Sequence, residues 1–231
     1  MDVRIFPDAA ALADDAAAFI ADRISAAAPR ATVGLAGGST PRATYERLAG
    51  HDLDWEHVEF WLSDERWVPP DHADSNGRMA SEALGGAARI HRPQWDLGEP
   101  ETAAAAYEIT LDRLFAGRRP DLILLGLGTD GHTASLFPGT RALHEPHRSF
   151  VANWVDGQDA WRLTATLPLL HRASALAFLV SGESKSEIVA QIVGRHEPFP
   201  AYLAAIGAAE TTWFLDADAA TGLSGRGGAA S

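Results

Sequence analysis

The sequence predicts an α/β fold: a mostly parallel sheet with helices on both faces and a small antiparallel addition. Three observations lead there. Short apolar runs alternate with longer amphipathic ones along most of the chain, the pattern of strands joined by crossover helices. Two of the runs, SFVANWV and WRLTATL, are separated only by DGQDA and read as a hairpin. The length of 231 residues, with 46% apolar and 22% charged residues, suits one globular core.

In chain order, VRIF is the first strand, and a helical pattern follows over about 8–28. ATVGLAG (31–37) is the next strand, followed by a helical pattern over 41–49. VEFWLSD (58–64) precedes a pattern over 75–85, and a further helical stretch over 101–117 leads into the strand DLILLGLG (121–128). The hairpin comes next, then ALAFLVSG, a helical pattern over 183–194, and the closing strand TTWFLD (211–216). Residues 1–218 are expected to form a single domain. The stretch 219–231, rich in Gly and Ser with nothing to bury, is expected to be a disordered tail.

A net charge of −12 disfavours nucleic acid and anionic membrane surfaces as partners. An anionic ligand would need positive charge gathered locally. There is no cysteine, which excludes disulfides, thiolate metal sites and a cysteine nucleophile. No run is apolar enough for a membrane span, and the opening MDVRIFPDAA lacks the features of an export signal, so the expected compartment is the cytoplasm. No feature points to an obligate protein partner.

Ligands of open α/β sheets gather at the carboxyl ends of the strands. Four loops stand there: AGGSTP (36–41), SDERW (63–67), GTDGHT (128–133) and SGESK (181–185). In the first, Gly37 and Gly38 permit close backbone approach, Ser39 and Thr40 add hydroxyls, and Pro41 suits the start of a helix. Such a loop can cradle a phosphate, or be a glycine turn with Ser39 or Thr40 as a plain N-cap. In the second, a period of two puts Asp64 and Arg66 on one side and Glu65 on the other; a shared site and a surface ion pair are both open readings. The fourth carries Lys185, the only lysine in the chain, which is either functional or a solvated side chain in a helical turn.

The third loop, in LLGLGTDGHTASLFPG, contains a GxGxxG match behind a strand. A dinucleotide site needs a full crossover helix there and an acidic residue about 20 positions on. Pro138 and Gly139 interrupt the chain too early, and Glu145 and Asp156 fall off the required position. What remains is a glycine-lined loop presenting Asp130 and His132, two residues apart, where an imidazole beside a carboxylate suits a general base. No GxSxG elbow, HExxH or clustered His and carboxylate pattern appears, so neither a serine nucleophile nor a metal is expected.

Taken in order, GLAGGSTP, FWLSDERWVPPDHADSN, GLGTDGHTASLFPG, RLTATLPLL, LVSGESK and TWFLD resemble the 6-phosphogluconolactonase family over about 31–216. No one loop is specific; their order is. The resemblance implies a modified doubly wound sheet and metal-free, cofactor-free hydrolysis of 6-phospho-D-glucono-1,5-lactone to 6-phospho-D-gluconate, the second step of the oxidative pentose phosphate pathway. It implies His132 as the base that activates water, with Asp130 beside it and Arg66 counted with them among the catalytic residues. It implies Arg66 and Lys185 near the phosphate together with Gly38, Ser39 and Thr40, and it adds Asp64 and Arg162 as substrate-binding residues. Two alternatives share the fold: glucosamine-6-phosphate deaminase, whose expected DEY-like and HIAFNEPG motifs are replaced here by DERW and HTASLFPG, and a sugar-phosphate sensor without catalysis, for which no DNA-reading helix-turn-helix is evident.

Overall fold

The computed structural model describes residues 1–27, 30–86 and 88–226. Its elements follow the chain as β1 (Asp2–Phe6), α1 (Ala9–Ala26), β2 (Ala31–Leu35), α2 (Ser39–Leu48), β3 (Val58–Leu62), β4 (Asp64–Arg66), α3 (Asn76–Leu84), β5 (Arg89–His91) and α4 (Pro100–Phe115). There follow β6 (Leu122–Leu125), β7 (Phe150–Val155), β8 (Ala160–Ala165), α5 (Leu167–Arg172), β9 (Leu176–Val180), α6 (Ser186–Val189), α7 (Pro200–Gly207), β10 (Thr211–Asp216) and α8 (Ala217–Ala220).

A seven-stranded sheet runs in the order β1-β10-β9-β6-β2-β3-β5, with every neighbouring pair parallel. Both faces are covered, which is why its strands are nearly continuous apolar runs rather than alternating ones. Successive residues feed opposite layers. Val58, Phe60 and Leu62 of β3 join the layer of α1, α2 and α3, while Trp61 enters the layer of α4 and the hairpin. In β6, Leu122 and Leu124 divide from Ile123 and Leu125 in the same way. All four are fully buried, each contributing about 1.5–3 kcal/mol, so a strand this short holds the centre of the sheet without polar help. Gly34 in β2 is required by this layering, because a Cβ there would press into the Trp61 indole.

Helix starts follow local chemistry. The Asp8 carboxylate accepts from the Ala11 N–H at 2.8 Å and caps α1. Ser75 caps α3 through the Arg78 N–H, and Pro100 opens α4 where a missing N–H costs nothing. Two tyrosines brace the sheet. Tyr45 Oη accepts from the Ala36 N–H and donates to the Ala36 carbonyl, both at 2.9 Å; Tyr107 Oη accepts from the Leu62 N–H and donates to the His91 carbonyl, both at 2.8 Å.

The antiparallel addition is a separate three-stranded sheet, β4-β8-β7. The expected hairpin forms β7 and β8, and β4 joins its open edge. VEFWLSD therefore does not continue as one strand: Ser63 is the corner between β3 and β4, where its hydroxyl donates to the Leu35 carbonyl at 2.8 Å. The strands expected through Gly37 and Gly128 stop at Leu35 and Leu125, where the functional loops begin. The helical pattern over 183–194 resolves into a 3₁₀ turn (Glu183–Lys185), α6 and a π-helical turn (Ala190–Gly194). Pro41 is the third residue of α2, not the first; Gly38 is the N-cap, with no side-chain capping bond, so neither Ser39 nor Thr40 serves as one. The expected boundary at 218 falls inside α8, whose Ala219 and Ala220 are buried, and a 3₁₀ helix (Thr221–Arg226) follows. The rest of the expected tail, 227–231, lies outside the described residues.

Candidate active site

Strands β9, β6, β2 and β3 are neighbours, so the loops that follow them line one edge of the sheet. From β2 the chain crosses to β3 on one side, while β6 lies on the other, and the gap between β2 and β6 is a switch point of the kind that receives ligands.

In the loop after β2, Gly38 has φ 111°, a conformation that glycine adopts without strain. Ser39 and Thr40 place their N–H groups in the first turn of α2, where helical partners do not exist. Thr40 Oγ1 lies 2.7 Å from Ser181 Oγ, tying this loop to the one after β9 across the end of β6. Gly37 leaves no room for a side chain because the Asn76 carboxamide packs against it. Asn76 Nδ2 donates to the Asp64 carbonyl at 3.0 Å and to its Oδ1 at 3.3 Å.

Asp64, buried, accepts on Oδ2 from the Ser135 hydroxyl at 2.7 Å, which joins the β3 corner to the loop after β6. Glu65 points the other way, as period-two alternation requires. It accepts from the N–H groups of Asn76 and Gly77, at 2.7 and 2.8 Å, and from the Ser75 hydroxyl at 2.9 Å. Burial pushes its carboxyl above the usual range, with these bonds opposing.

Arg66 stands directly opposite Arg162 in the β4–β8 pairing. Like charges in that relation destabilise a sheet, and a bound anion would reverse the sign. Burial, and then the charge of Arg66, push the Arg162 guanidinium below its usual range, with Asp64, Asp74 and Glu65 opposing. Arg66 Nη1 donates to the Asp74 carbonyl at 2.8 Å, and Arg162 donates to the Gln158 side chain.

The loop after β6 closes on itself: the Gly128 N–H donates to the His132 carbonyl at 2.9 Å and the Gly131 N–H to the Gly128 carbonyl at 3.0 Å. Its glycines serve the histidine, not a nucleotide. A Cβ on Gly128 would overlap both the His132 ring and the Asp130 carboxylate. Gly131, at φ 81°, lies against the Phe199 ring. His132 Nδ1 lies 2.5 Å from Asp130 Oδ1, and its ring stacks on Phe137 with centroids 4.0 Å apart. Ala134, a non-glycine at φ 46°, marks strain beside the pair. Burial works to raise the Asp130 carboxyl, but the hydrogen bond and charge of His132 outweigh it and hold it below the usual range.

Lys185 is half-buried at the end of the 3₁₀ turn after β9. Burial lowers its ammonium below the usual lysine range, and the charge of Asp130 opposes this. Asp130 thus bonds His132 directly, and its charge is felt at Lys185. A cleft of about 950 Å³ lies toward the β7–β8 hairpin, lined by Asp130, Phe137, Arg141, Arg148, Trp154 and Trp161 among others. His132, Arg66 and Lys185 do not line it; we place the site at the strand ends, where the hydrogen bonds converge. Among the described residues, no group of three or more His, Cys, Asp or Glu side chains could hold a metal ion. No helix among them is long and apolar enough to cross a membrane.

The linking residues Asn76, Ser135 and Ser181 were not singled out from the sequence. Asn76 and Ser135 lie inside the quoted motifs DHADSN and HTASLFPG, and Ser181 opens SGESK. Their partners are distant in the chain, so no local spacing could pair them.

An open parallel sheet with an Asp–His pair and glycine, hydroxyl and cationic loops after its strands defines the class: an α/β protein with its candidate site at the carboxyl ends of the strands. The glucosamine-6-phosphate isomerase/6-phosphogluconolactonase family matches residues 7–213. A 6-phosphogluconolactonase of Synechocystis sp. is 42% identical over 206 residues, covering 83% of this chain and 84% of that protein. One of Nostoc sp. is 36% identical over 237 residues, covering 96% and 98%. The structure of 6-phosphogluconolactonase from Trypanosoma cruzi superimposes with a TM-score of 0.87 at 26% identity, covering 96% of this chain and 97% of that one. The chain belongs to the glucosamine-6-phosphate isomerase/6-phosphogluconolactonase family.

Proposed function

We propose that this chain hydrolyses 6-phospho-D-glucono-1,5-lactone to 6-phospho-D-gluconate, the second step of the oxidative pentose phosphate pathway, with His132 as general base. The carrying observation is the Asp130–His132 pair, with Oδ1 2.5 Å from Nδ1, whose carboxylate charge also opposes the lowering of the Lys185 ammonium. It supports placing the base and the phosphate-binding cation in one pocket.

An ionised Asp130 accepts the Nδ1–H and leaves the Nε2 lone pair of His132 free. Water gives a proton to Nε2 as its oxygen attacks C1 of the lactone. The tetrahedral intermediate then expels the ring oxygen, which takes that proton back from the imidazolium, and the product is the open-chain acid. A lactone is an activated ester, so one base and a place for the oxyanion suffice. The phosphate carries about 1.5 to 2 negative charges at neutral pH. Lys185, Arg66 and the Gly38, Ser39 and Thr40 backbone and hydroxyls hold it, and this remote grip orients C1 toward His132. Arg162 adds charge beside Arg66, and Asp64, through Ser135, ties the corner before Arg66 to the loop that carries His132.

The test is to form the lactone freshly by oxidising glucose 6-phosphate and follow proton release with and without the protein. A rate well above spontaneous hydrolysis is expected. No acceleration, or release of ammonia from glucosamine 6-phosphate instead, would contradict the reading.

A further inference from the structure

The closing motif TWFLD has no part in the chemistry above, yet its last residue is a buried carboxylate, 4% exposed, at the carboxyl end of β10. That strand runs parallel beside β9, with Leu215 level with Val180, so Asp216 meets the loop that carries Lys185. Both Asp216 oxygens accept from the Gly182 N–H at 3.0 Å, and Oδ1 also accepts from the Ala219 N–H at 2.8 Å. Gly182 has φ 95°, and its carbonyl accepts from the Lys185 N–H at 3.0 Å. One glycine is thus held on its donor side by Asp216 and on its acceptor side by Lys185. On the far side of the lysine, the Gly222 N–H donates to the Ser186 hydroxyl at 2.9 Å. Segment 216–222 therefore grips the Lys185 turn at both ends, and the neighbouring Ser181 to Thr40 contact lies within the same brace.

We infer that Asp216 is a positioning residue for substrate phosphate: through Gly182 it sets where the Lys185 ammonium stands. The inference rests on the reading that Lys185 meets the phosphate. Two features of the hydrogen bonding make the carboxylate specific. A carboxylate only accepts, and both of its oxygens are used on N–H groups. An amide in its place turns an N–H₂ toward one of those donors, so the Gly182 turn relaxes and Lys185 loses its set position. Asp216 bonds the Gly182 and Ala219 N–H groups and not the loop after β6, so the change is expected to fall on binding more than on the chemistry at His132.

Asp216→Asn, Ser186→Ala, Lys185→Ala and the unmodified chain are compared on the phosphorylated lactone and on unphosphorylated glucono-1,5-lactone. For Asp216→Asn we expect KM for the phosphorylated lactone to rise about tenfold, with kcat within about twofold and kcat/KM on the unphosphorylated lactone unchanged. Ser186→Ala is expected to shift KM the same way by a smaller factor, and it keeps the question open to refutation if Asp216→Asn does not fold. Equal losses on both substrates, a fall in kcat with KM unchanged, or no change in KM would each overturn the inference. If Lys185→Ala raises KM while neither brace variant does, the brace alone is wrong. If Lys185→Ala leaves KM unchanged, the phosphate reading falls and the brace with it.

Discussion

His132 shows how little freedom the site leaves a single side chain. Its ring is held by the Asp130 carboxylate on one edge and by Phe137 on one face. Replacing it by Gln is expected to lower kcat by about two orders of magnitude or more with KM little altered, since the interaction lost belongs to the reaction and not to binding. Asp130→Asn tests orientation separately. The amide can donate to Nδ1 and favour the wrong tautomer, so kcat is expected to fall about a hundredfold. Steady-state kinetics on both variants checks the pair; a kcat unchanged in either removes that residue from the proposed role. Both residues were legible in the sequence because they sit two apart in a glycine loop after a strand. Their direct hydrogen bond, on which the proposed choice of Nε2 as base rests, was not, since no spacing gives the left-handed turns at Gly131 and Ala134.

At the scale of elements, the loop after β6 is the piece on which the site turns. Gly128 is empty of side chain so that the Asp130–His132 pair can occupy its space. Gly128→Ala is expected to cost kcat at least tenfold while thermal unfolding shifts only modestly, because the clash falls on movable side chains. A large stability loss with kcat retained would show that the glycine serves the fold instead. The short apolar strands and the longer amphipathic helices were legible from their alternation. Strand β4 was not, because three residues, DER, are too few to mark a strand separate from β3, and its pairing is set by β8 a hundred residues on. Helix α7 was missed for a different reason: PAYLAAIG is apolar almost throughout, without a polar face to reveal 3.6-residue spacing. The C-terminal segment reads as Gly-rich tail, yet Ala219 and Ala220 pack into the core and Asp216 caps the helix they end.

For the whole molecule, the proposed function raises the question of how a chain of net charge −12 would take up an anion. The proposal answers by placement: Arg66 and Arg162 face each other in the β4–β8 pairing, Lys185 follows β9, and all three are assigned to one phosphate. Because burial lowers the Lys185 pKa, the unfolded chain binds more protons than the folded one between the two values. Over that alkaline window this group's contribution to stability therefore rises with pH. A phosphate dianion acts in the opposite direction, drawing the pKa back up, so binding there takes up a proton and weakens as pH rises through the lowered value. Calorimetry of 6-phosphogluconate in two alkaline buffers of different ionisation heat measures this directly. Proton uptake is expected for the unmodified chain and none for Lys185→Ala; equal uptake in both would assign the proton elsewhere.

The most direct measurement is a crystal structure of the chain with 6-phosphogluconate bound. The account predicts the phosphate within hydrogen-bond distance of Lys185 Nζ, near Arg66 and the Ser39 and Thr40 N–H groups, with the C1 carboxylate beside His132 Nε2. A ligand seated in the cleft between Trp154 and Phe137, or bound with C1 remote from His132, would contradict it.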